Sequence, residues 1–319
     1  MLFQIGRDNL ALTIFVPYDC KNNCRFCTTK ESYKRKKASV DNVKWQMHRV
    51  FERFQYPIKD VVFTGGEPAE DVVLLSELID IVPSEYHIYI NTTFPKKNSE
   101  ALIELVNEND KICGVNISRH CKTYEKDLED LCDISDDAEI RKFIKPVRIN
   151  CVINQHNADD IEAIIDRWRG YGVTLQLRKD YRYTDFSDLH NPYDDLSMKL
   201  IELGYQYARH TQCNVCDSTT FTKGSSVITY HKGVERTAIW REDDVLEVND
   251  LIIEQDGIFK LDWGEHDMRS VAAFEALYKK ITLKDTSFGR GFLGVMTGCG
   301  MNKGTCGGVF RGCGGGGGC

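Results

Sequence analysis

The sequence predicts an α/β protein built on a parallel sheet, and three observations predict it. Apolar runs of strand length alternate with amphipathic helical segments through the first half of the chain. Strands separated by helices pair in parallel through crossover helices, so the alternation itself implies the sheet. The two most distinctive short motifs also each follow a strand, and barrels of such units carry their sites at the C-terminal strand ends.

Taken in order, the first strand reads from about Asn9 to Val16 and runs into Pro17-Tyr18-Asp19-Cys20-Lys21-Asn22-Asn23-Cys24-Arg25-Phe26-Cys27. A helical pattern from Asp41 to Phe54 follows, then the apolar strand Asp60 to Thr64, which stops at Gly65-Gly66-Glu67-Pro68. Further strands read at His87 to Asn91, Ile112 to Ser118, Val147 to Ile153 and Val173 to Arg178. Amphipathic segments lie between them at Val72 to Ile81, Ser99 to Asn109 and Ala158 to Arg169.

Beyond Asp185 the rhythm changes, to a helical segment near Asp194 to His210, then Cys213-Asn214-Val215-Cys216 and two expected hairpins. One spans Val227 to Trp240 with its turn near Lys232-Gly233, and the other Leu251 to Trp263 with its turn at Asp256-Gly257. A last helix is expected from about Met268 to Ile281, and from Phe288 onward glycine and cysteine leave little that could form a core. The expected division is a core over 1–185, a small α+β C-terminal extension over 186–287, and a Gly/Cys-rich tail over 288–319 that is flexible or ordered by a ligand.

Cys20, Cys24 and Cys27 form C-x3-C-x2-C, a spacing that leaves one corner of a four-iron cube without a protein ligand. A cube held by four thiolates carries electrons, whereas an iron with an open position can take substrate or cofactor atoms. By spacing alone the three thiols could also be unrelated, or half of a zinc site. With the aromatic before its last cysteine, the loop resembles that of the radical S-adenosylmethionine (SAM) family, and Gly65-Gly66-Glu67-Pro68 resembles the same family's GGEP motif.

That resemblance implies a partial (β/α)6 TIM-like barrel over about Met1 to Asp185 and an enzyme that cleaves SAM reductively to a 5′-deoxyadenosyl radical. It assigns Cys20, Cys24 and Cys27 to a 4Fe-4S cluster whose fourth iron SAM chelates, and Gly65, Gly66, Glu67 and Pro68 to the methionine moiety. Phe26 would lie near the adenine or serve as packing. Asn91 to Thr93, Ser118 and Arg119 fall at strand ends where the family places polar groups against the ribose and carboxylate. The stretch Arg148 to Asn154 departs from the family's glycine- and glutamate-containing pattern, and Arg178 could meet a carboxylate or a structural ion pair.

Composition bounds the partners. With 42% hydrophobic and 28% charged residues the chain is an ordinary globular one, and its net charge of −7 argues against a broad nucleic-acid footprint. No apolar stretch reaches the ~20 residues that span a bilayer, and no basic leader precedes the first strand, so a soluble, cytoplasmic protein without a membrane partner is expected. Thirteen cysteines would suit a secreted disulfide scaffold, but a cluster loop needs reduced thiolates. Lys34-Arg35-Lys36-Lys37 is the one dense basic run. It reads as a solvated face, as a dock for an acidic electron donor of the flavodoxin or ferredoxin type, or as a contact for a phosphorylated substrate.

Cys213 and Cys216 have the spacing of half a metal site, with His210 and His231 nearby, or form a pair of buried thiols. Family resemblance favours a second iron-sulfur cluster there over zinc. In the tail, Cys299, Cys306 and Cys313 recur every seven residues, each followed by glycine, and Cys319 follows five glycines. Glycine costs ~1 kcal/mol per helical position against alanine, so this heptad is no coiled coil. The tail thiols would complete an auxiliary cluster, or the tail is a peptide awaiting crosslinks, or it is a disordered terminus. The expected function is hydrogen abstraction from a small metabolite or peptide, including this tail or one like it. A non-catalytic iron-sulfur carrier or metal-binding protein is the rival, and it would have no need of Gly65 to Pro68.

Overall fold

A computed structural model of the chain describes residues 2–5, 10–22, 24, 26–27, 29–53, 58–121, 133–154, 157–180, 196–213, 216–231, 239–240, 245–248, 250–260 and 267–268. Strand β1 (Leu2–Ile5) precedes β2 (Leu10–Phe15), and helices α1 (Lys30–Arg35) and α2 (Val40–Arg53) lead to β3 (Ile58–Thr64). There follow α3 (Val72–Ile81), β4 (His87–Thr92), α4 (Ser99–Glu108), β5 (Ile112–Ser118), β6 (Val147–Ile153), α5 (Ile161–Trp168) and β7 (Thr174–Lys179). Each of the six strands from β2 to β7 lies within about two residues of the position that hydrophobic patterning predicts.

These six strands stand in sequence order and pair in parallel. Their helices form because apolar residues recur at helical spacing, as in Leu75, Leu78 and Ile79 of α3 or Ile161, Ile164, Ile165 and Trp168 of α5, all buried. Asp71 caps α3 by accepting the Leu74 N–H at 3.0 Å. The buried stripes cover one sheet face, made by Leu12, Ile14, Val61, Phe63, Ile88, Ile90, Val115, Ile117, Ile149 and Leu175. Burying each such side chain contributes about 1.5–3 kcal/mol. Strand alternation then sends the polar residues of β4 to β7 to the opposite face.

The C-terminal part departs from expectation. Helix α6 (Leu196–Glu202) stops early, because Gly204 takes φ +83° and turns the chain, and residues expected to be helical form β8 (Gln206–Cys213) instead. Strand β8 pairs antiparallel with β9 (Cys216–Lys223), and β9 with β10 (Ser226–His231). The expected hairpin from Val227 to Trp240 is therefore not formed. Its first strand, β10, lies between β9 and β7 and is parallel to β7, while β11 (Ile239–Trp240) pairs with β12 (Val245–Val248), which pairs with β1.

The second hairpin stands, with β13 (Asp250–Ile253) against β14 (Phe259–Lys260) and a turn through Asp256 and Gly257, the latter at φ +84°. Strand β13 runs parallel to β2, and β15 (Asp267–Met268) pairs with β14. The main sheet thus has order β15-β14-β13-β2-β3-β4-β5-β6-β7-β10-β9-β8 and is open. Beyond β15, the helix expected to Ile281 and the whole tail, with Cys299, Cys306, Cys313 and Cys319, lie outside the described residues. No helix among the described residues is long and apolar enough to cross a membrane.

Candidate functional site

The three-cysteine loop leaves the C-terminal end of β2, and the Gly65–Pro68 turn leaves the adjacent end of β3. Side chains that the motifs do not include tie the two together. The Thr29 hydroxyl donates to the Gly65 carbonyl at 3.1 Å, and the Tyr18 hydroxyl to that of Pro68 at 2.6 Å. The Tyr33 hydroxyl bridges them, donating to the Val16 carbonyl at 2.7 Å and accepting the Gly66 N–H at 2.6 Å. Burial, and then the Glu67 charge, push the Tyr18 phenol well above its usual range, so it stays a donor.

Both glycines are required by close approach. A Cβ on Gly66 would stand 2.0 Å from the Tyr18 carbonyl oxygen, and one on Gly65, at φ +101°, would stand 2.3 Å from the Tyr33 hydroxyl and 2.8 Å from Phe15 Cβ. Glu67 is buried, and its carboxylate accepts from Ala69 N–H at 2.9 Å, Thr93 N–H at 2.7 Å, the Thr93 hydroxyl at 2.6 Å and the Thr92 hydroxyl. Burial raises its pKa, and the bonds from Thr92 and Thr93 oppose that rise. Asn22 Nδ2 donates to Thr93 Oγ1 at 3.1 Å, so Glu67 holds the end of β4 against the cysteine loop.

Within the loop, Cys24 is buried and Cys20 and Cys27 are partly buried. The Asn22 N–H donates to Cys20 Sγ at 3.4 Å, and Cys27 Sγ lies 3.4 Å from the Thr29 hydroxyl. Burial, then the Glu67 charge, push the Cys20 thiol up to about 12. Such a thiol ionises at neutral pH when a metal replaces its proton. Among the described residues no three His, Cys, Asp or Glu side chains gather on a single metal ion. A four-iron cube takes its three thiolates on three different irons, so its ligands stand further apart than a zinc ion's, and hydrogen bonds to ligand sulfurs suit it. The chemistry of the donor set, three thiols in one loop with a backbone N–H on one sulfur, suits such a cube.

The other predicted residues are placed as follows. Phe26 is buried, meets the His120 ring edge-on with centroids 4.5 Å apart, and packs with Cys24 and Val152. Asn91 Oδ1 accepts from Asn116 Nδ2 at 2.6 Å. Ser118 ends β5, and Arg119 is fully buried, its Nη1 donating to the carbonyls of Thr93 at 2.7 Å and Ser118 at 2.9 Å and its Nη2 to that of Ser135 at 3.0 Å. Its donors hold strand ends together. Cys213 and Cys216 stand opposite each other across the β8–β9 turn.

Sequence reasoning missed Tyr18, Thr29, Tyr33 and His120. The His120 ring accepts the Val152 N–H on Nδ1 at 3.2 Å, and burial followed by the Arg119 charge pushes its pKa down to about 3, so the ring is neutral. Only adjacency to the motifs could have signalled Tyr18 and Thr29, and nothing local marks His120. Of the basic run, Lys36 is partly buried and pairs with Glu254, which also meets Lys260 at 3.1 Å.

Residues 9–131 match the family described as a 4Fe-4S single cluster domain. Among solved structures the fold is similar to Streptococcus suis SuiB bound to precursor peptide SuiA, with TM-score 0.53 and 12% identity. The same enzyme bound to S-adenosylmethionine gives 0.52 at 12%. In fold the chain is similar to these S-adenosylmethionine-binding and peptide-binding structures, and its N-terminal part is similar to a 4Fe-4S single cluster domain. Another structure, native anSMEcpe with bound AdoMet and Cp18Cys peptide, matches with TM-score 0.53 at 13% identity, covering 86% of this chain and 82% of that one. The match to SuiB with SuiA covers 79% of this chain but spans only 58% of SuiB's length. No curated protein matches the sequence.

Proposed function

We propose that the chain is a peptide-modifying radical SAM enzyme, with Cys20, Cys24 and Cys27 holding a 4Fe-4S cluster and Gly65 to Pro68 beside the methionine end of SAM. When bound and reduced, these cofactors supply a 5′-deoxyadenosyl radical that takes a hydrogen atom from the substrate. The observation that carries this reading is the hydrogen-bonded lock between the cysteine loop and the glycine turn, through Tyr18, Thr29 and Tyr33. It sets Gly65 to Pro68 beside the cysteine loop, and a simple electron carrier has no need of a SAM cradle there.

The residues of the chain position and shield. Tyr33 and Glu67 fix the loop and the ends of β3 and β4, while Phe26, Val152 and Cys24 form an apolar patch that keeps water from one side of the loop. The peptide class is supported by the complexes of SuiB with SuiA and of anSMEcpe with its peptide. We further assign β2 to β7 to a partial (β/α)6 barrel, exposed Lys34 and Lys37 to docking of a flavodoxin- or ferredoxin-type donor, and the working compartment to the reducing cytoplasm. Cys213, Cys216 and the tail thiols are proposed for a second cluster. The seven-residue cysteine repeat favours a second reading, in which this tail or one like it is the substrate.

The test is anaerobic reconstitution with iron and sulfide, reduction, and measurement of 5′-deoxyadenosine from SAM. Wild-type chain should release it, and the triple Cys→Ala variant at positions 20, 24 and 27 should neither release it nor bind the core cluster. Undiminished product from the triple variant would sink the assignment.

A further inference from the structure

The cysteine loop has two flanks. On one it is tied to the glycine turn through Tyr18, Thr29 and Tyr33. On the other, Phe26 and Cys24 pack against Val152 at the end of β6, and the His120 ring meets Phe26 edge-on with centroids 4.5 Å apart. His120, Phe26, Val152 and Asn150 are each 2–8% exposed.

A hydrogen bond fixes the tautomer of His120. The Val152 backbone N–H can only donate, so Nδ1, 3.2 Å from that nitrogen, carries a lone pair and the ring proton sits on Nε2. Nε2 is buried and finds no hydrogen-bond partner among the described residues. Asn150, two residues before Val152 and hence on the same face of β6, has a buried Oδ1 that is likewise without a partner among them. Buried polar groups are paired in all but a few cases, and one left alone carries its full desolvation cost. A ligand that satisfies this corner therefore brings an acceptor for Nε2, a donor for Asn150, and a flat apolar face for Phe26 and Val152.

An iron-sulfur cluster offers sulfur acceptors only, and water has no apolar face. A peptide group has a donor and an acceptor but no ring to lay against Phe26. Adenine has all three, with its 6-amino donors set between the acceptors N1 and N7. With the methionine end of SAM at Gly65 to Pro68, on the first flank, its nucleoside end is the part left to meet the second. We propose that His120 Nε2–H donates to N1 or N7 of the SAM adenine and that Asn150 Oδ1 accepts from its 6-amino group. The pair selects the base of the cofactor and rests on the SAM reading above.

The experiment measures binding of SAM, 1-deaza-SAM, 7-deaza-SAM and S-inosylmethionine to the reconstituted full chain with its cluster oxidised, so that nothing is cleaved. One deaza analogue, lacking the nitrogen that His120 meets, should bind about tenfold weaker than SAM. The inosyl analogue should lose at least as much, because its 6-oxygen cannot donate to Asn150. His120→Asn keeps an oxygen to accept the Val152 N–H but has no donor at the Nε2 position, so it should weaken SAM about tenfold and abolish the preference over that deaza analogue. His120→Gln carries an amide nitrogen to the place of Nε2 and should retain part of the preference. Asn150→Leu should narrow the gap between SAM and the inosyl analogue while the deaza preference persists. Iron content and melting temperature report folding in each variant, and the wild-type series decides the matter even where a variant folds poorly.

Equal binding of SAM and either the inosyl analogue or both deaza analogues overturns the proposal, as does a deaza preference that survives His120→Asn. A shifted cluster potential in His120→Asn with that preference intact would also overturn it, and would give the N–H to a cluster sulfur. Wild type that forms deoxyadenosine yet shows no base preference defeats this subsite alone. Wild type that binds no SAM defeats the SAM reading beneath it.

Discussion

Gly66→Ala isolates the contact between the glycine turn and the cysteine loop. The added Cβ would stand 2.0 Å from the Tyr18 carbonyl oxygen and 3.0 Å from the carbonyl carbons of Tyr18 and Asp19, where ordinary contact begins at 3.4 Å. Both neighbours are backbone, so no side chain can swing away, and the loop must move by about 1.4 Å, the difference of the two distances. Overpacking of this kind costs about 1–3 kcal/mol of stability, and Cys20 is the next residue along the displaced backbone. A misplacement of about 1 Å can lower a rate about 100-fold. We expect deoxyadenosine formation to fall by that order, with weakened SAM binding and some loss of iron. Gly170→Ala is the control: its Cβ meets nothing within 4 Å, and it carries only the strain of φ +81°. Its loss should appear in the melting temperature alone. Wild-type rate, iron and SAM affinity in Gly66→Ala would refute the steric argument.

Glu67→Gln should destabilise the fold by about 1–3 kcal/mol, read from chemical denaturation, because one amide oxygen cannot serve all four donors and its NH2 faces the Thr93 N–H. Burial makes neutral His120 the folded form, so the unfolded chain binds the extra proton between about pH 6.5 and about pH 3. Stability should then fall by about 1.4 kcal/mol per pH unit as pH drops through that window, and His120→Asn should flatten the slope. Truncation after Ser287 removes the four tail cysteines. If they ligate a second cluster, iron should fall to about one cube per chain with SAM cleavage retained. Unchanged iron would exclude that role and favour the tail as substrate.

The strands β2 to β7 and helices α2 to α5 were legible because each is encoded locally, by apolar period and by the residues that stop it. Val147–Ile153 and Ile112–Ser118 read as strands whatever they pair with, and they keep those bounds in the fold. The cysteine loop and Gly65 to Pro68 stand out in the sequence by residue type and spacing, and the structure brings the two turns together. Strand β10 was not legible. Ser226–His231 reads as half of a hairpin, and its choice of Thr174–Lys179 as a parallel partner depends on pairing across 52 residues of chain. The same holds for β13 on β2 and for the helical reading of Gln206–Cys213, where pairing with β9 overrides local preference.

The sequence by itself singled out the cysteine loop and the glycine turn as candidates and determined which segments form the parallel sheet, because both follow from composition over a few neighbouring positions. Tertiary structure decided what those residues hold on to. Glu67 engages Thr92 and Thr93, Arg119 engages backbone carbonyls, and the space over both glycines is taken by Tyr18, Phe15 and Tyr33. It also placed Asn116, Arg148, Asn150, Gln176 and Arg178 on one buried face. Those arrangements depend on strand register and on contacts between segments distant in sequence, and burial gives them their energy. No local pattern records either.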